Sequence, residues 1–256
     1  MSADADIEAS TQALVQCVQQ FRDAVPGTLE LEARLGVYTD GNFRPGVSKK
    51  VFEDLERDLE DSTTLIGDLG WMEHVDYHYT TKEQKARTRV EFDREKLSMR
   101  TTHTVKQVLR SIVFRRREEG DEAFRVATAT EEPLVDPPKS CLPTFVRIKQ
   151  RRRFQDVRND NVVWSYELSR TWSATSRSAA EYRQQTMDPV YEVECELHDM
   201  SRAYIGSRKD EEISTSLLMK AKMLLGESPQ TELDMFVNQC GGVARKSRAR
   251  TRNDGI

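Results

Sequence analysis

The stretch LELEARLG, residues 29–36, decides the fold class because it alternates leucine or alanine with charged residues. Glu30, Glu32 and Arg34 fall at every second position. Successive side chains of a β-strand point to opposite faces, so this alternation predicts a strand with one apolar face and one charged face. Taken alone, such a strand is typical of a solvated sheet surface. A second interpretation comes from a similar stretch much later in the chain.

That stretch is VYEVECEL, residues 190–197, in which Glu192, Glu194 and Glu196 alternate with apolar residues or cysteine. Neighbouring carboxylates in such a row lie about 6.6–7 Å apart and repel one another. If the face that carries them is enclosed, they require cations. FVRIKQRRRF, residues 145–154, supplies cations with the same period, on a face that carries Arg147, Lys149, Arg151 and Arg153.

Charged or polar residues at every second position recur more weakly on three other predicted strands. These strands are KARTRVEFD, AFRVATATEE and WSYELSRTW. The residues concerned are Arg87 and Arg89 on the first, Arg125 and Glu131 on the second, and Ser165, Glu167 and Ser169 on the third.

The composition excludes several classes of protein. The 39 lysines and arginines nearly balance 43 acidic residues, and a net charge of −4 argues against non-specific coating of nucleic acid while leaving a local basic site open. No apolar run approaches the ~20 residues that span a membrane, so no membrane partner is expected. The acidic N-terminus is unlike a signal peptide. Four scattered cysteines without a CxxC motif predict neither a disulfide framework nor a zinc site.

Hydrophobic periodicity predicts a single domain over residues 1–244. We expect a helix at about 5–24, strands at about 28–200 and helices at about 210–240, followed by a basic, disordered tail at 245–256. Glycine, proline and Asn-Asp breaks between the strands suit antiparallel hairpins. The predicted fold class is therefore α+β, with an antiparallel barrel or sandwich and flanking helices.

Two arrangements fit the charged rows. In a conventional sandwich the charged faces lie in solvent. In a wide barrel the apolar faces pack outward under the helices, and the charged faces line a water-filled interior. Carboxylates hold Mg²⁺ or Mn²⁺, and guanidinium and ammonium groups hold phosphate oxygens, so the second arrangement suits a divalent metal with a polyanion. Periodicity alone does not decide between the two.

The order of the motifs does favour one of them. ExExR in residues 29–36 and ExExE in residues 190–197, separated by a K-x-R strand, resemble the glutamate strands of the triphosphate tunnel metalloenzymes. The resemblance covers about residues 28–198 and is greatest to the mRNA-capping RNA triphosphatases of fungi, protozoa and large DNA viruses. It implies an eight-stranded antiparallel barrel, braced by helices, that hydrolyses the γ-phosphate of 5′-triphosphate RNA with Mg²⁺ or Mn²⁺.

The resemblance also implies roles for the acidic rows. Glu30, Glu32 and Glu196 would coordinate the metal. Glu194 and Glu192 would lie beside it and contact metal-bound waters or basic neighbours.

For the substrate, the resemblance implies that Lys149 and Arg151 hold the γ-phosphate. An arginine from an earlier strand would join them, and we favour Arg89 over Arg87. Glu131 matches a glutamate that binds or activates the attacking water.

The remaining residues have supporting roles in this interpretation. Glu167 and Ser169 stand where the family has an acid and a hydroxyl residue, although an aspartate is more usual at the first position. Arg153 adds a cation where a small polar residue is common. Arg34 is expected to pair with the acidic row, and Arg125 and Arg153 are open to either a structural or a phosphate-binding role.

The leading hypothesis is an RNA 5′-triphosphatase that removes the γ-phosphate of nascent RNA as the first step of cap formation, with NTPase side activity. It implies residence in the nucleus, or in the cytoplasm for a viral enzyme. The absence of a KxDG motif leaves guanylyl transfer to a separate partner. Three alternatives stay open: a tunnel-fold inorganic triphosphatase, nucleotidase or thiamine-triphosphatase-like enzyme, a non-catalytic polyanion-binding module, and an interaction domain with charged outer faces.

Overall fold

The structure is a computed structural model that describes residues 3–23, 29–62, 68–80, 85–93, 98–116, 122–135, 142–158, 161–197, 206–226 and 233–238. Its helices are α1 (Ala3–Asp23), α2 (Lys49–Glu60), α3 (Arg177–Thr186) and α4 (Asp210–Leu224). Its strands are β1 (Leu29–Thr39), β2 (Asn42–Pro45), β3 (Asp68–Thr80), β4 (Lys85–Asp93), β5 (Ser98–Arg116), β6 (Glu122–Pro133), β7 (Phe145–Arg158), β8 (Asn161–Ala174), β9 (Val190–Leu197) and β10 (Leu233–Asn238).

Eight of these strands close into a barrel. Their order around it is β1-β6-β5-β4-β3-β7-β8-β9, and β9 pairs with β1 again. Every pairing is antiparallel. The short β2 pairs with the end of β1, and β10 pairs with the end of β5. The predicted α+β fold with an eight-stranded antiparallel barrel and flanking helices is therefore confirmed.

The apolar faces of the strands point outward, under the helices. On β1, Leu31 and Leu35 are buried in the same hydrophobic cluster as Phe21 of α1 and Leu217 of α4. Each such side chain contributes about 1.5–3 kcal/mol when it is fully removed from water. Since the alternate residues of β1 must then face inward, the sandwich with solvated charged faces is not formed.

Helices α2 and α3 cover the adjoining part of the barrel wall, α2 over β9 and α3 over β7 and β8. The side chain of Ser48 accepts a hydrogen bond from the backbone N–H of Val51 at 3.2 Å and caps α2, whose Phe52 is buried beside Tyr191 of β9. In α3, Ala180 is buried in a small cluster with Ile148 of β7. No helix among the described residues has the length and apolar character needed to cross a membrane.

The C-terminal prediction was wrong in one part. Helix α4 begins at the expected place, but residues 233–238 form β10 rather than the second half of helices reaching to about 240. The cause is the length of β5, whose pairing with β4 ends at Val105. Residues 111–116 of β5 therefore have an open edge, which β10 fills. The tail predicted at 245–256 lies outside the described residues.

Candidate active site

The strand register puts the two glutamate strands side by side with their charged rows on the inner face. Glu32 of β1 lies opposite Glu196 of β9, and Arg34 lies opposite Glu194. Directly opposed residues of antiparallel strands share one face, so these four side chains line the same wall of the interior. On the other side of β1, Glu32 faces the small Ala127, and Arg125 of the same strand β6 lies 3.6 Å from its carboxylate.

Strands β8 and β7 continue this wall. Glu167 lies opposite Glu194 on one side and opposite Arg153 on the other. Ser169 lies opposite Arg151. By the same reasoning, every predicted site residue faces the interior of the barrel. The chemical roles of these residues stay predictions. The residues placed there by register are Glu30, Glu32, Arg34, Arg87, Arg89, Arg125, Glu131, Lys149, Arg151, Arg153, Glu167, Ser169, Glu192, Glu194 and Glu196.

Two interior cations pair with three glutamates of the two acidic rows, Glu32, Glu192 and Glu194. Arg34 lies 2.9 Å from a carboxylate oxygen of Glu194 and 3.2 Å from one of Glu32. The ammonium of Lys149 lies 2.8 Å from Glu192 and 3.9 Å from Glu194. Burial by itself raises the pKa of the Glu194 carboxyl, but Arg34 and Lys149 outweigh it and hold this pKa well below its usual range. Glu194 is therefore ionised at neutral pH.

Glu196 is different because no cation among the described residues pairs with it. Burial, followed by the charges of Glu30 and Glu167, raises the pKa of its carboxyl to about 8, and Arg153 only partly offsets them. Burial also raises the pKa of Glu30. Glu196 therefore keeps its proton at neutral pH in the metal-free protein, and with all three carboxylates ionised this end of the acidic row would have more negative charge than the protein's own cations balance.

A divalent cation fits that excess of charge. Glu30, Glu32 and Glu196 present carboxylate oxygens, the donors that Mg²⁺ and Mn²⁺ prefer, on two paired strands. As the side chains lie, no three aspartate, glutamate, histidine or cysteine side chains among the described residues converge closely enough to hold a metal. Cationic side chains lie between some of them instead, and ligation would require the carboxylates to turn toward one another.

The foremost of these cations is Lys106 of β5, which sequence reasoning missed. Its ammonium contacts Glu30 and lies 3.5 Å from Glu32. Burial lowers the pKa of Lys106, but the two carboxylates outweigh it and the net shift is upward. Its inward neighbours Thr104 and Val108 are uncharged, so no row of charges marked the position.

The basic side of the interior contains a second missed residue, Asp76 of β3. Arg89 donates to its two carboxylate oxygens, from Nε at 2.7 Å and from Nη2 at 3.0 Å. Arg87 instead donates to Glu131 at 2.8 Å. Glu131 is partly buried and faces inward, whereas Glu132 is exposed. Both candidate arginines thus line the interior, and Arg89 has the more rigid support.

Several interior arginines have more donors than partners. Arg151 and Arg153 share the single carboxylate of Glu167, at 2.8 Å and 3.2 Å. Ser169 donates to the same carboxylate at 3.3 Å. Within the described part of the chain, buried Nε atoms without a hydrogen-bond partner belong to several inward arginines, among them Arg34, Arg87, Arg147 and Arg153. Buried donors of this kind are usually satisfied, so their concentration here indicates an anion-binding surface.

Comparison with known proteins rests on structure. No protein-family model matches the chain, and no curated protein sequence matches it. The RNA triphosphatase Pct1 of S. pombe superposes with a TM-score of 0.57 at 15% identity, over 87% of this chain and 92% of that chain. Pct1 has also been solved in complex with the Spt5 CTD. The mimivirus capping enzyme triphosphatase superposes with a TM-score of 0.54 at 12% identity, over 86% and 98%. The chain is therefore a structural relative of these RNA triphosphatases and shares their fold.

Proposed function

We propose that the chain is a metal-dependent RNA 5′-triphosphatase that removes the γ-phosphate of nascent RNA as the first step of cap formation. One observation carries the proposal. The closed barrel encloses two rows of glutamates together with a buried lysine and several arginines that retain unpaired donors. The fold shared with RNA triphosphatases supports RNA as the substrate.

Phosphoryl transfer requires positioning and charge neutralisation more than covalent chemistry. Lys149 and Arg151, only 4% and 9% exposed, hold the oxygens of the γ-phosphate. Arg89 joins them, and its two bonds to Asp76 fix its guanidinium before the substrate arrives. Donors fixed in this way stabilise the negative charge as it shifts to the oxygen that bridges the β- and γ-phosphates.

Glu30, Glu32 and Glu196 would hold Mg²⁺ or Mn²⁺ at the acidic end of the site. The cation, when bound, supplies Lewis-acid polarisation of a phosphate oxygen. Glu192 and Glu194 keep Lys149 and Arg34 in place, at the ion-pair distances given above.

The attacking water needs an acceptor for its proton. Glu131 serves as that acceptor and orients the water, and Arg87 keeps its carboxylate directed inward at 2.8 Å. The water oxygen forms the new bond to the γ-phosphorus as the bond to the bridging oxygen breaks. The products are inorganic phosphate and a 5′-diphosphate RNA, and we propose that a separate guanylyltransferase takes up the latter.

The test is release of inorganic phosphate from 5′-triphosphate RNA, ATP and tripolyphosphate, with Mg²⁺, with Mn²⁺ and with chelator. We expect metal-dependent release that Glu32→Ala abolishes and that Glu53→Ala, on the exposed face of α2, leaves intact. A preference for RNA over both small substrates supports the capping role. Equal or better use of tripolyphosphate would favour the inorganic triphosphatase alternative, and no release by folded protein would leave only a polyanion-binding module.

A further inference from the structure

One end of the barrel combines arginines with aromatic rings. Strands β1, β3, β5 and β8 run toward this end, and β4, β6, β7 and β9 begin there, because all neighbouring pairs are antiparallel. We call it the aromatic mouth, defined by the inward or overlying residues Tyr38, Phe43, His78, Arg115, Arg125, Phe145 and Arg147.

The residues of the aromatic mouth share one arrangement, an arginine over an aromatic ring. The distance from the guanidinium carbon to the ring centroid is 5.5 Å for Arg115 over Tyr38, 5.2 Å for Arg125 over Phe43 and 5.3 Å for Arg147 over Phe145. The imidazole of His78 stacks on Phe145, with centroids 4.2 Å apart and an interplanar angle of 10°. The buried Nε2 of His78 and Nε of Arg147 have no hydrogen-bond partner among the described residues.

Gly36 allows Phe43 to reach the interior. A Cβ on Gly36 would lie 2.7 Å from the tip of the Phe43 ring and 2.2 Å from the carbonyl oxygen of Arg44, both too close for a side chain. The missing Cβ would point to the same face as Glu32 and Arg34, since every second residue of a strand shares a face. The ring of Phe43 therefore lies over the inner side of β1.

The other end of the barrel differs. Its inward positions carry Glu91, Arg100 and Ser165, and no aromatic side chain of the described residues faces inward there. The metal-ligand candidates lie nearer that end, since Glu30 is close to the start of β1 and Glu196 is close to the end of β9. From Glu32 to the level of Tyr38 the strand advances by about 20 Å, which leaves room for the rest of a triphosphate chain.

We propose that the aromatic mouth binds the first nucleosides of the RNA, with bases that take the places of Arg125 over the Phe43 ring and of Arg147 over the Phe145 ring. Arg125 and Arg147 bind the phosphates that follow the reacting one. Single-stranded RNA is held by aromatic rings on which bases stack and by arginines that follow the backbone. This inference rests on the proposed function, to which it adds the direction in which the RNA lies in the barrel.

Kinetics of conservative variants test this inference. In Phe43→Leu and Phe145→Leu we expect KM for 5′-triphosphate RNA to rise about tenfold, since stacking contributes about 1–3 kcal/mol per base. Their kcat/KM for tripolyphosphate, which has no base, should be unchanged. The matched control is Phe92→Leu, which removes an outer-face phenylalanine that is 52% exposed and should change neither value. Equal losses on both substrates, or no loss on RNA, would overturn the inference.

A binding measurement on the unmodified protein covers the case in which the variants fail to fold. With chelator present, a 5′-triphosphate RNA carrying 2-aminopurine as its first base should be quenched on binding, because the base stacks. The same fluorophore at the 3′ end should keep its emission. RNA binding without quenching of the first base would contradict the proposal that this base stacks in the aromatic mouth. If wild-type protein hydrolyses no triphosphate and binds no RNA, the proposed function is wrong. If wild type hydrolyses 5′-triphosphate RNA and both phenylalanine variants have the same KM as wild type, only the role of the aromatic mouth is wrong.

Discussion

Arg151, Arg152 and Arg153 are consecutive residues of β7, yet their side chains lie on different faces of the barrel wall. Arg152 points outward and binds three carboxylates: it donates to Asp68 from Nε at 3.0 Å and to Glu56 at 3.0 Å, and it also contacts Glu60.

The two inward neighbours, Arg151 and Arg153, share the one carboxylate of Glu167. The outer arginine is thus saturated by the protein, and the inner pair is not. This difference separates residues that hold the barrel together from residues that are available to a substrate.

The largest expected effect comes from the inner acidic row. Glu32→Gln should lower kcat for phosphate release by about 10²- to 10³-fold, because it removes a charge directed at the reacting groups. Glu56→Gln, a matched change on the outer face, should lower thermal stability and leave kcat near the wild-type value. If both variants lose activity equally while folded, the distinction between the two faces is wrong.

The next effect is a pH dependence of stability. In the folded protein without metal the pKa of the Glu196 carboxyl is about 8, against 4.5 for an ordinary glutamate. Between pH 6.5 and 8 the folded state keeps this proton and the unfolded chain does not. The free energy of unfolding should therefore fall as pH rises, by up to about 1.4 kcal/mol per pH unit.

Urea unfolding of wild type and Glu196→Gln in chelator measures this contribution. In Glu196→Gln the free energy of unfolding should lack the decrease with rising pH that Glu196 causes. Burial lowers the pKa of His74 and His78 to about 4, so both add an opposing slope near pH 6.5, which is the same in the two proteins and cancels in the comparison. Identical slopes in the two proteins would show that Glu196 is ionised at neutral pH.

A smaller effect concerns Lys106, which pairs with two candidate metal ligands. Lys106→Met should bind Mn²⁺ about tenfold more tightly, because a competing positive charge is removed from the carboxylates. Titration followed by the electron paramagnetic resonance of free Mn²⁺ gives the affinity, with Lys50→Met on the exposed face of α2 as control. Weaker binding in Lys106→Met would mean that the lysine positions the glutamates for the metal.

The smallest effect is on the outer face. Arg152→Met should lower the free energy of unfolding by only about 1 kcal/mol, because ion pairs near solvent are screened and weak. Thermal unfolding should show a decrease in Tm of about 2–4 °C. A much larger decrease would indicate that the outer ion-pair network is a principal source of stability.

Alternation of residue type was enough to predict the inner faces of β1, β7 and β9. On β1 and β9 charged residues occupy one face only, and within residues 145–154 of β7 Arg152 is the one charged residue on the outer face, so a period of two identifies both faces. Asp76 lies in WMEHVDYHYT, where polar and aromatic residues occur on both faces and no face stands out. Its pairing with Arg89 follows only from the register of β3 and β4.

Long-range strand pairing explains why the sequence did not predict Lys106 or β10. β5 contains an irregularity between Val108 and Arg110, which reverses the face of the residues beyond it and conceals the inward position of Lys106. β10 lies in a stretch with helical periodicity, and the open edge of β5 overrides that local preference. Neither the irregularity nor the open edge can be read from local sequence.

The inner and outer faces of β7 are compared most directly by phosphate release from 5′-triphosphate RNA in Arg151→Met and Arg152→Met. We expect Arg151→Met to lower kcat/KM about 10²-fold with little change in Tm, whereas Arg152→Met should keep its activity and lose some stability. Full activity in a folded Arg151→Met protein would contradict the claim that the inner face of the barrel is the site of reaction.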